Sequence, residues 1–185
     1  MQLIRPQSEH LASFIDALER GWAPNSMRGA DSTREELARV RADPVAYIAG
    51  MDDREARNPP FDLPDGTKFG PLPSICRWIW DGEFCGSVSL RWQPGSMELP
   101  CEILGHIGYG VVPWKQGRGY ARLALAQMLE LARAEGLPFV DLTTDPSNAA
   151  SRRVIEANGG VFVETFRRRA SYGGTEALKY RIHLR

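Results

Sequence analysis

The sequence has no net charge: 23 lysine and arginine residues balance 23 aspartate and glutamate residues over 185 positions. That balance removes the electrostatic reason to expect nucleic acid or an anionic membrane as a partner. Cysteine is scarce, limited to Cys76, Cys85 and Cys101. An odd number without a CxxC pair, and without a histidine at zinc spacing, argues against a disulfide framework or a zinc site, so no metal is expected. A reducing, cytoplasmic compartment is the matching expectation. No uninterrupted apolar run approaches the roughly 20 residues that span a bilayer, and the opening residues MQLIRPQSEH lack the apolar core of a signal peptide. Internal repeats and low-complexity tracts are missing too, which sets solenoids and disordered arrays aside. The remaining expectation is one soluble domain, 1–185, long enough to bury a substantial core.

What the chain does contain is a succession of strand and helix signals. Leu3–Arg5 reads as a short strand stopped by Pro6. Ser8 then caps a helix with Leu11, Phe14, Ile15 and Leu18 on one face. A turn-rich segment around Trp22 leads to a second helix that starts at Ser32 or Thr33, with Glu35 and Glu36 at capping-box spacing, and ends before Pro44. Residues 50–73 are polar and proline-rich and predict a long loop. Ser74–Trp80 and Phe84–Trp92 predict a hairpin turning through Asp81-Gly82 as a type I′ turn. Ile103–Val112 predicts the next strand, Gly119–Glu135 a helix stopped by Gly136, and Phe139–Thr144 a strand, an order that implies a right-handed crossover between parallel strands. Asp145-Pro146 opens another helix to about Ala157, and Val161–Phe166 and Leu178–Leu184 close the fold.

The stretch Gly105–Ala121, GHIGYGVVPWKQGRGYA, joins a strand to a long helix through a loop with Gly117 and Gly119. A helix N-terminus leaves its first N–H groups unpaired and carries partial positive charge, and glycines let the backbone approach an anion closely. The loop therefore reads as a phosphate cradle, with a tight structural turn as the other reading. A dinucleotide fingerprint wants a glycine where Arg122 stands, and a nucleotide P-loop wants Gly-Lys followed by Ser or Thr. Neither fits.

Gln116-Gly117-Arg118-Gly119-Tyr120-Ala121 matches the Q/R-x-x-G-x-G/A pyrophosphate motif of the GNAT superfamily of N-acetyltransferases. Downstream, Asn148-x-x-Ser151 followed by Val154-Ile155-Glu156 and Asn158-Gly159-Gly160 resembles the N-x-x-S…V-x-E-x-x-G segment of that superfamily, especially its Rim-like branch. The Gly105–Tyr109 strand and the closing Lys179-Tyr180-Arg181-Ile182 also look like a group of functionally undefined GNAT proteins. The resemblance is strong over 105–166. It implies an α/β (mixed α+β) fold whose sheet is splayed and mostly antiparallel, with a parallel pair at its centre and helices on both faces. Residues 1–104 would form the acceptor side, 105–166 the acetyl-CoA core and 167–185 the closing strands. Acetyl-CoA would be the co-substrate. The amides of Gly110, Val111 and Val112 would meet its pantetheine arm, Gln116–Ala121 its pyrophosphate with Arg118 or Arg122 adding charge, and Asn148 the arm near its reactive end, a helix cap being the other reading for that asparagine.

Acetyl transfer needs a neutral amine, a polarised carbonyl and a proton for the departing thiolate. Where relatives carry a glutamate in the central strand this chain has His106, a candidate base and otherwise a half-buried strand histidine; Glu102 is a weaker candidate. The amide of Val111 or its neighbour would polarise the carbonyl. The usual acid, a tyrosine in the helix after the asparagine, is replaced by Ile155, which leaves the hydroxyls of Ser151 and Tyr109. Trp22, Trp78, Trp80 and Trp92 are candidates to line the acceptor pocket, or core aromatics, and Arg77 or Arg91 could hold a carboxylate. The acidic residues between Asp52 and Asp65 and the Arg167–Arg169 cluster read as solvated, or as attracting a cationic amine and a 3′-phosphate respectively. The expected activity is acetylation of a primary amine on a small molecule. A peptide N-terminal acetyltransferase and a catalytically weak acyl-CoA sensor are the alternatives, and a homodimer is compatible with each.

Overall fold

The computed structural model describes residues 1–63 and 65–184. Its elements are β1 (Gln2–Ile4), α1 (Leu11–Glu19), α2 (Ala30–Ala42), α3 (Pro44–Ala49), β2 (Asp52–Asp53), β3 (Phe61–Asp62), β4 (Lys68–Phe69), β5 (Ser74–Trp80), β6 (Phe84–Arg91), β7 (Ile107–Val111), α4 (Tyr120–Ala134), β8 (Phe139–Thr144), α5 (Ala149–Glu156), β9 (Val161–Arg167) and β10 (Glu176–His183). One sheet has the order β1-β5-β6-β7 with β2 also on β5, a second has β8-β10-β9, and β3 and β4 form a separate ribbon. Every ladder among them is antiparallel.

Strand alternation sorts the first sheet into two faces. Ile75, Ile79, Val88, Leu90 and Ile107 lie on one side and pack against Leu125, Met128 and Leu129 of α4. Trp78 on the other side packs with Phe14, Leu18 and Trp22 beneath α1. Helices therefore cover both faces, the layered solution expected for a sheet that is apolar on each side.

The α4 crossover sets β7 and β8 side by side as the expected parallel pair, yet no ladder joins them. They meet at one point: the His106 N–H donates to the Asp141 carbonyl at 2.7 Å, and His106 Nδ1 accepts from the Asp141 N–H at 3.0 Å. Gly105 allows the approach, since a Cβ there would stand 2.9 Å from the Asp141 carbonyl oxygen. Beyond that point the strands diverge and leave a cleft.

Several local expectations are corrected. Strand β7 begins at Ile107, so His106 precedes it. Ser32 and Thr33 lie inside α2, where Ser32 Oγ donates to Gly29 O at 2.7 Å and Thr33 Oγ1 to Trp22 O at 3.0 Å; they anchor the Trp22 segment instead of capping the helix. Helix α3 is an addition, capped by Asp43, whose carboxylate accepts from the Val45 and Ala46 amides, with Pro44 in the first turn. The hairpin turns through three residues, Asp81 to Glu83, with an irregularity that places Cys85 outside the β5–β6 register. Helix α5 starts after Asn148 and not at Asp145.

Candidate active site

Two cavities flank the first sheet, one at β7 and one over β5 and β6. The first, about 940 Å³, is lined by Tyr109, Gly110 and Val111 of β7, by the 113–122 loop and first turn of α4, by Asn148, Ser151, Arg153 and Val154, and by Trp22. The second, about 510 Å³, opens over the β5–β6 face and is lined by Ser74, Ser89 and Arg91 together with 24–39 and 58–62 residues such as Asn25, Glu35 and Asn58. The same segment walls both: Trp22 and Ala23 face the first cavity, Pro24 and Asn25 the second.

Backbone geometry decides which amides reach the first cavity. The Arg91 N–H donates to His106 O at 2.9 Å and the Val112 N–H to Cys85 O at 3.0 Å. With the β6–β7 register, this alternation turns the amides of Gly108 and Gly110 toward β6 and those of Tyr109 and Val111 toward the cleft. The expectation for Gly110 and Val112 amides is therefore corrected: Val112 is fully buried with its N–H committed, and the Gly110 amide faces β6, its bare Cα side lying beneath the Trp22 ring.

At the closed end of the loop Gly117 and Gly119 adopt φ of 76° and 75°, and Gly119 is the N-cap of α4 with no side-chain cap. The first-turn amides of α4 are thus left for an anion. Tyr120 holds the loop in place, its hydroxyl donating to Asp81 at 2.7 Å, and Lys115 joins the same carboxylate at 3.0 Å. These donors hold the Asp81 carboxyl below its usual range, with the Tyr120 bond as the main cause. Gln116 Nε2 donates to Val111 O at 3.2 Å. Arg122 and Arg153 line the cavity, Arg118 is exposed on the loop, and none of the three has a carboxylate partner among the described residues.

Across the cleft Asn148 caps α5, its Oδ1 accepting from the Ser151 N–H at 3.0 Å, while still lining the cavity. Tyr109 Oη lies 2.9 Å from Ser151 Oγ, so the two candidate hydroxyls form one hydrogen-bonded pair on the cavity wall. Burial raises the Tyr109 pKa against the lowering effect of Ser151, so the phenol stays protonated. Ile155 is buried in the core and contacts the site of a Cβ on Gly160.

The other candidates fall elsewhere. His106 is 1% exposed and lines neither cavity; burial lowers its pKa, so it is neutral, and both its backbone and Nδ1 are committed to Asp141. This replaces the role of base with that of a latch between the sheets. Glu102 lies beside Arg169, outside both cavities. Arg77 is on the α4 face and pairs with Asp52 at 3.0 Å, and Trp78 is core. Trp80 packs edge-on against His10. Arg168 is buried and paired with Asp145 at 2.6 Å, which removes it from the solvated basic turn. Desolvation pushes the Cys76 and Cys85 thiols up to about 12, so neither is a nucleophile at neutral pH. Among the described residues no cluster suited to a metal ion occurs, and no helix is long and apolar enough to cross a membrane. Sequence reasoning missed Glu35, Glu36 and Ser89 as cavity-lining groups; their alternation with Ser74 and Arg91 on one hairpin face was the available signal for Ser89.

The family model described as an acetyltransferase (GNAT) domain matches residues 64–161, just over half of the chain. No curated protein matches the sequence significantly. Similar solved structures include the Salmonella typhimurium acetyltransferase that modifies the N-terminal serine of ribosomal protein L7/L12, at 14% identity and TM-score 0.63, covering 99% of this chain and 94% of that one. Salmonella typhimurium yncA with its cofactor acetyl-CoA is similar at 15% identity and TM-score 0.57, covering 100% and 94%. The microcin C7 self-immunity acetyltransferase MccE, in complex with acetyl-CoA and AMP, is similar at 10% identity and TM-score 0.55, covering 98% and 91%. These likenesses concern the fold, and the sequence match to the domain agrees with the splayed strands and the glycine cradle at the head of α4: the chain belongs to the GNAT acetyltransferase family.

Proposed function

We propose that the protein transfers the acetyl group of acetyl-CoA directly to the primary amine of a small molecule. The observation that carries this reading is that the first cavity lies on β7 while two lining residues of the second, Ser89 and Arg91, lie over the same strand at Gly108. Gly110 borders the first and Gly108 lies under Ser89 and Arg91 of the second, about 7 Å apart at the usual strand rise. A donor in one and an acceptor in the other would meet at β7.

Acetyl-CoA supplies an acyl group activated as a thioester. The uncapped amides at the head of α4, with Arg118, Arg122 and Arg153 nearby, bind its phosphates. The Tyr109 and Val111 amides hold the pantetheine arm and polarise the carbonyl. Tyr109 holds a proton at Oη for the departing sulfur, with Ser151 Oγ as its relay, a hydroxyl pair that answers the absence of a tyrosine at Ile155. Trp22 shields the reacting stretch from water on the α1 side.

Likeness to the enzyme that modifies the N-terminal serine of L7/L12 favours a second reading, a peptide N-terminus as acceptor. Calorimetric titration with acetyl-CoA tests the donor site, and an absence of binding overturns it. Thiol release with small amines against short peptides separates the two acceptors: turnover confined to peptides overturns the small-molecule reading.

A further inference from the structure

Among the described residues, one charge lining the second cavity has no counter-charge. Its ionisable lining is Arg28, Glu35, Glu36, Arg39, Asp62 and Arg91. Arg28 forks onto Glu35; Arg39 reaches Glu36 at 3.0 Å, and Tyr47 Oη donates to the same carboxylate at 2.5 Å; Lys68 stands 3.0 Å from Asp62. Arg91 is different. Among the described residues its guanidinium makes one hydrogen bond, from Nη2 to Ser89 Oγ at 3.3 Å, and no ion pair. Burial lowers its pKa, and the ionisable groups facing it are Tyr172 and Cys76, whose own pKa values burial raises, so both are neutral.

Arg91 is half-buried at the cavity wall, and a guanidinium held there without a carboxylate is a ready partner for an anion. Its planar fork matches a carboxylate bidentately. Here it points into a cavity that also presents the hydroxyls of Ser74 and Ser89. Its position fixes what else the ligand must carry. A Cβ on Gly108 would stand 3.6 Å from Arg91 Nη2 and 3.9 Å from Ser89 Oγ, so the guanidinium lies directly over the strand, two residues from Gly110 at the edge of the first cavity.

Building on the acetyl-transfer reading of the same strand, we propose that the acceptor is an amino-carboxylate, its carboxylate on the Arg91 fork and its primary amine a few ångströms away toward Gly108–Gly110. The neutral amine nitrogen forms the new C–N bond to the acetyl carbon as the C–S bond breaks; the amine proton leaves to solvent, the thiolate takes the proton held at Tyr109, and solvent returns a proton to the phenolate. A polyamine or aminoglycoside would instead bring further positive charge beside an uncompensated arginine.

The test follows thiol release with a panel of free amino acids, each paired with the amine that lacks its carboxylate, using wild type, Arg91→Met and Arg91→Lys. The expected result is at least one amino acid with kcat/KM about 100-fold or more above its decarboxylated amine, a ratio that Arg91→Met brings to near one and Arg91→Lys partly retains. Calorimetric affinity for acetyl-CoA should be the same in all three proteins. Equal use of amino acids and their amines, a ratio that survives Arg91→Met, or no turnover of any amino acid overturns the proposal; should Arg91→Met fail to fold, the wild-type ratio alone decides. Failure of wild type to bind acetyl-CoA overturns the acetyl-transfer reading itself, which separates the two.

Discussion

Substitution of His106 tests the largest part of the reasoning, because its burial gives it a different task from the one its place in the chain suggested. The residue provides both hydrogen bonds that close the two sheets at the narrow end of the cleft. His106→Ala removes the acceptor and leaves the Asp141 N–H buried and unpaired, which costs about 1–3 kcal/mol. It also vacates a ring packed edge-on against Phe139, for about 1–2 kcal/mol more. His106→Asn places an oxygen where Nδ1 stood, so it should keep the bond and lose only the packing, about 1–2 kcal/mol. The pH dependence follows from the sign of the shift. Burial holds the folded pKa below the ordinary 6.5, so the unfolded chain binds a proton that the native protein refuses. The contribution of His106 is therefore complete above about pH 6.5 and is lost on acidification from there to the folded value, with a limiting slope of about 1.4 kcal/mol per pH unit. His106→Asn lacks that group and should not carry this slope, so the stability gap between it and wild type should narrow as pH falls through that window. The assay is urea denaturation from about pH 5 to 8 for wild type and both variants, with kcat/KM measured on the same samples. A latch predicts that His106→Asn keeps turnover within a few-fold while His106→Ala loses stability. If His106→Asn instead lowers turnover by about 10² or more at near-wild-type stability, and abolishes the acid limb of the rate profile, the imidazole is a base and the latch argument fails.

Three further perturbations probe the rest of the site. At Gly119, φ is 75° and a Cβ would meet no protein atom within 4 Å, so Gly119→Ala should cost only about 1 kcal/mol of backbone strain; acetyl-CoA affinity should nevertheless fall more than about tenfold (about 1.4 kcal/mol), and unchanged affinity by calorimetry would remove the cradle. Tyr109→Phe keeps the ring and deletes the hydroxyl paired with Ser151. It should lower kcat by about 10² with little effect on the KM for acetyl-CoA, and a kcat within about twofold of wild type would eliminate the phenol as acid. Arg181→Leu takes the bidentate partner from Asp141, whose carboxylate then keeps Lys179 at 3.3 Å. The loss should be about 3 kcal/mol at neutral pH. In wild type, burial acts to raise the Asp141 pKa but Arg181 and Lys179 outweigh it, so that group stabilises the fold above about pH 4 and ceases to as pH falls through its depressed value. The stability difference between wild type and Arg181→Leu should accordingly narrow below about pH 4 in denaturation curves, and a constant difference would contradict the pairing.

The turn of the glycine loop and the α5 cap were readable in the sequence because their determinants are local: two glycines at positive φ, and an asparagine three residues before the amide it accepts from. The task of His106 was not, because it depends on a strand 35 residues away that the side chain meets only where the two sheets converge. Helix α3 and the start of α5 show the limit of even local signals. Asp43-Pro44 caps a helix and Asp145-Pro146 does not, though the dipeptides are identical, and Asp145 is instead engaged by the buried Arg168 from the β9–β10 connection.

Arg77 and Arg91 show the same limit on a sheet. Both lie on one hairpin, and alternation alone puts them on opposite faces. Arg77 opposes Val88 on the α4 side and turns out to Asp52, whereas Arg91 opposes Ser74 on the side where α2 and the 21–29 segment leave a cavity. Which face carries the cavity depends on how those helices fold back, and no hairpin residue reports it. The spacing Gly108-x-Gly110 was nevertheless visible. It strips side chains from one face of β7 only, and that face lies under Ser89 and Arg91 at one position and against the Trp22 ring at the other. A larger residue at 110 would press on Trp22 and on the wall between the cavities; one at 108 would fill the space beneath the guanidinium. The glycine alternation thus leaves bare backbone on the face shared with Arg91 and Trp22, while Tyr109, turned the opposite way, lines the first cavity with its hydroxyl on Ser151.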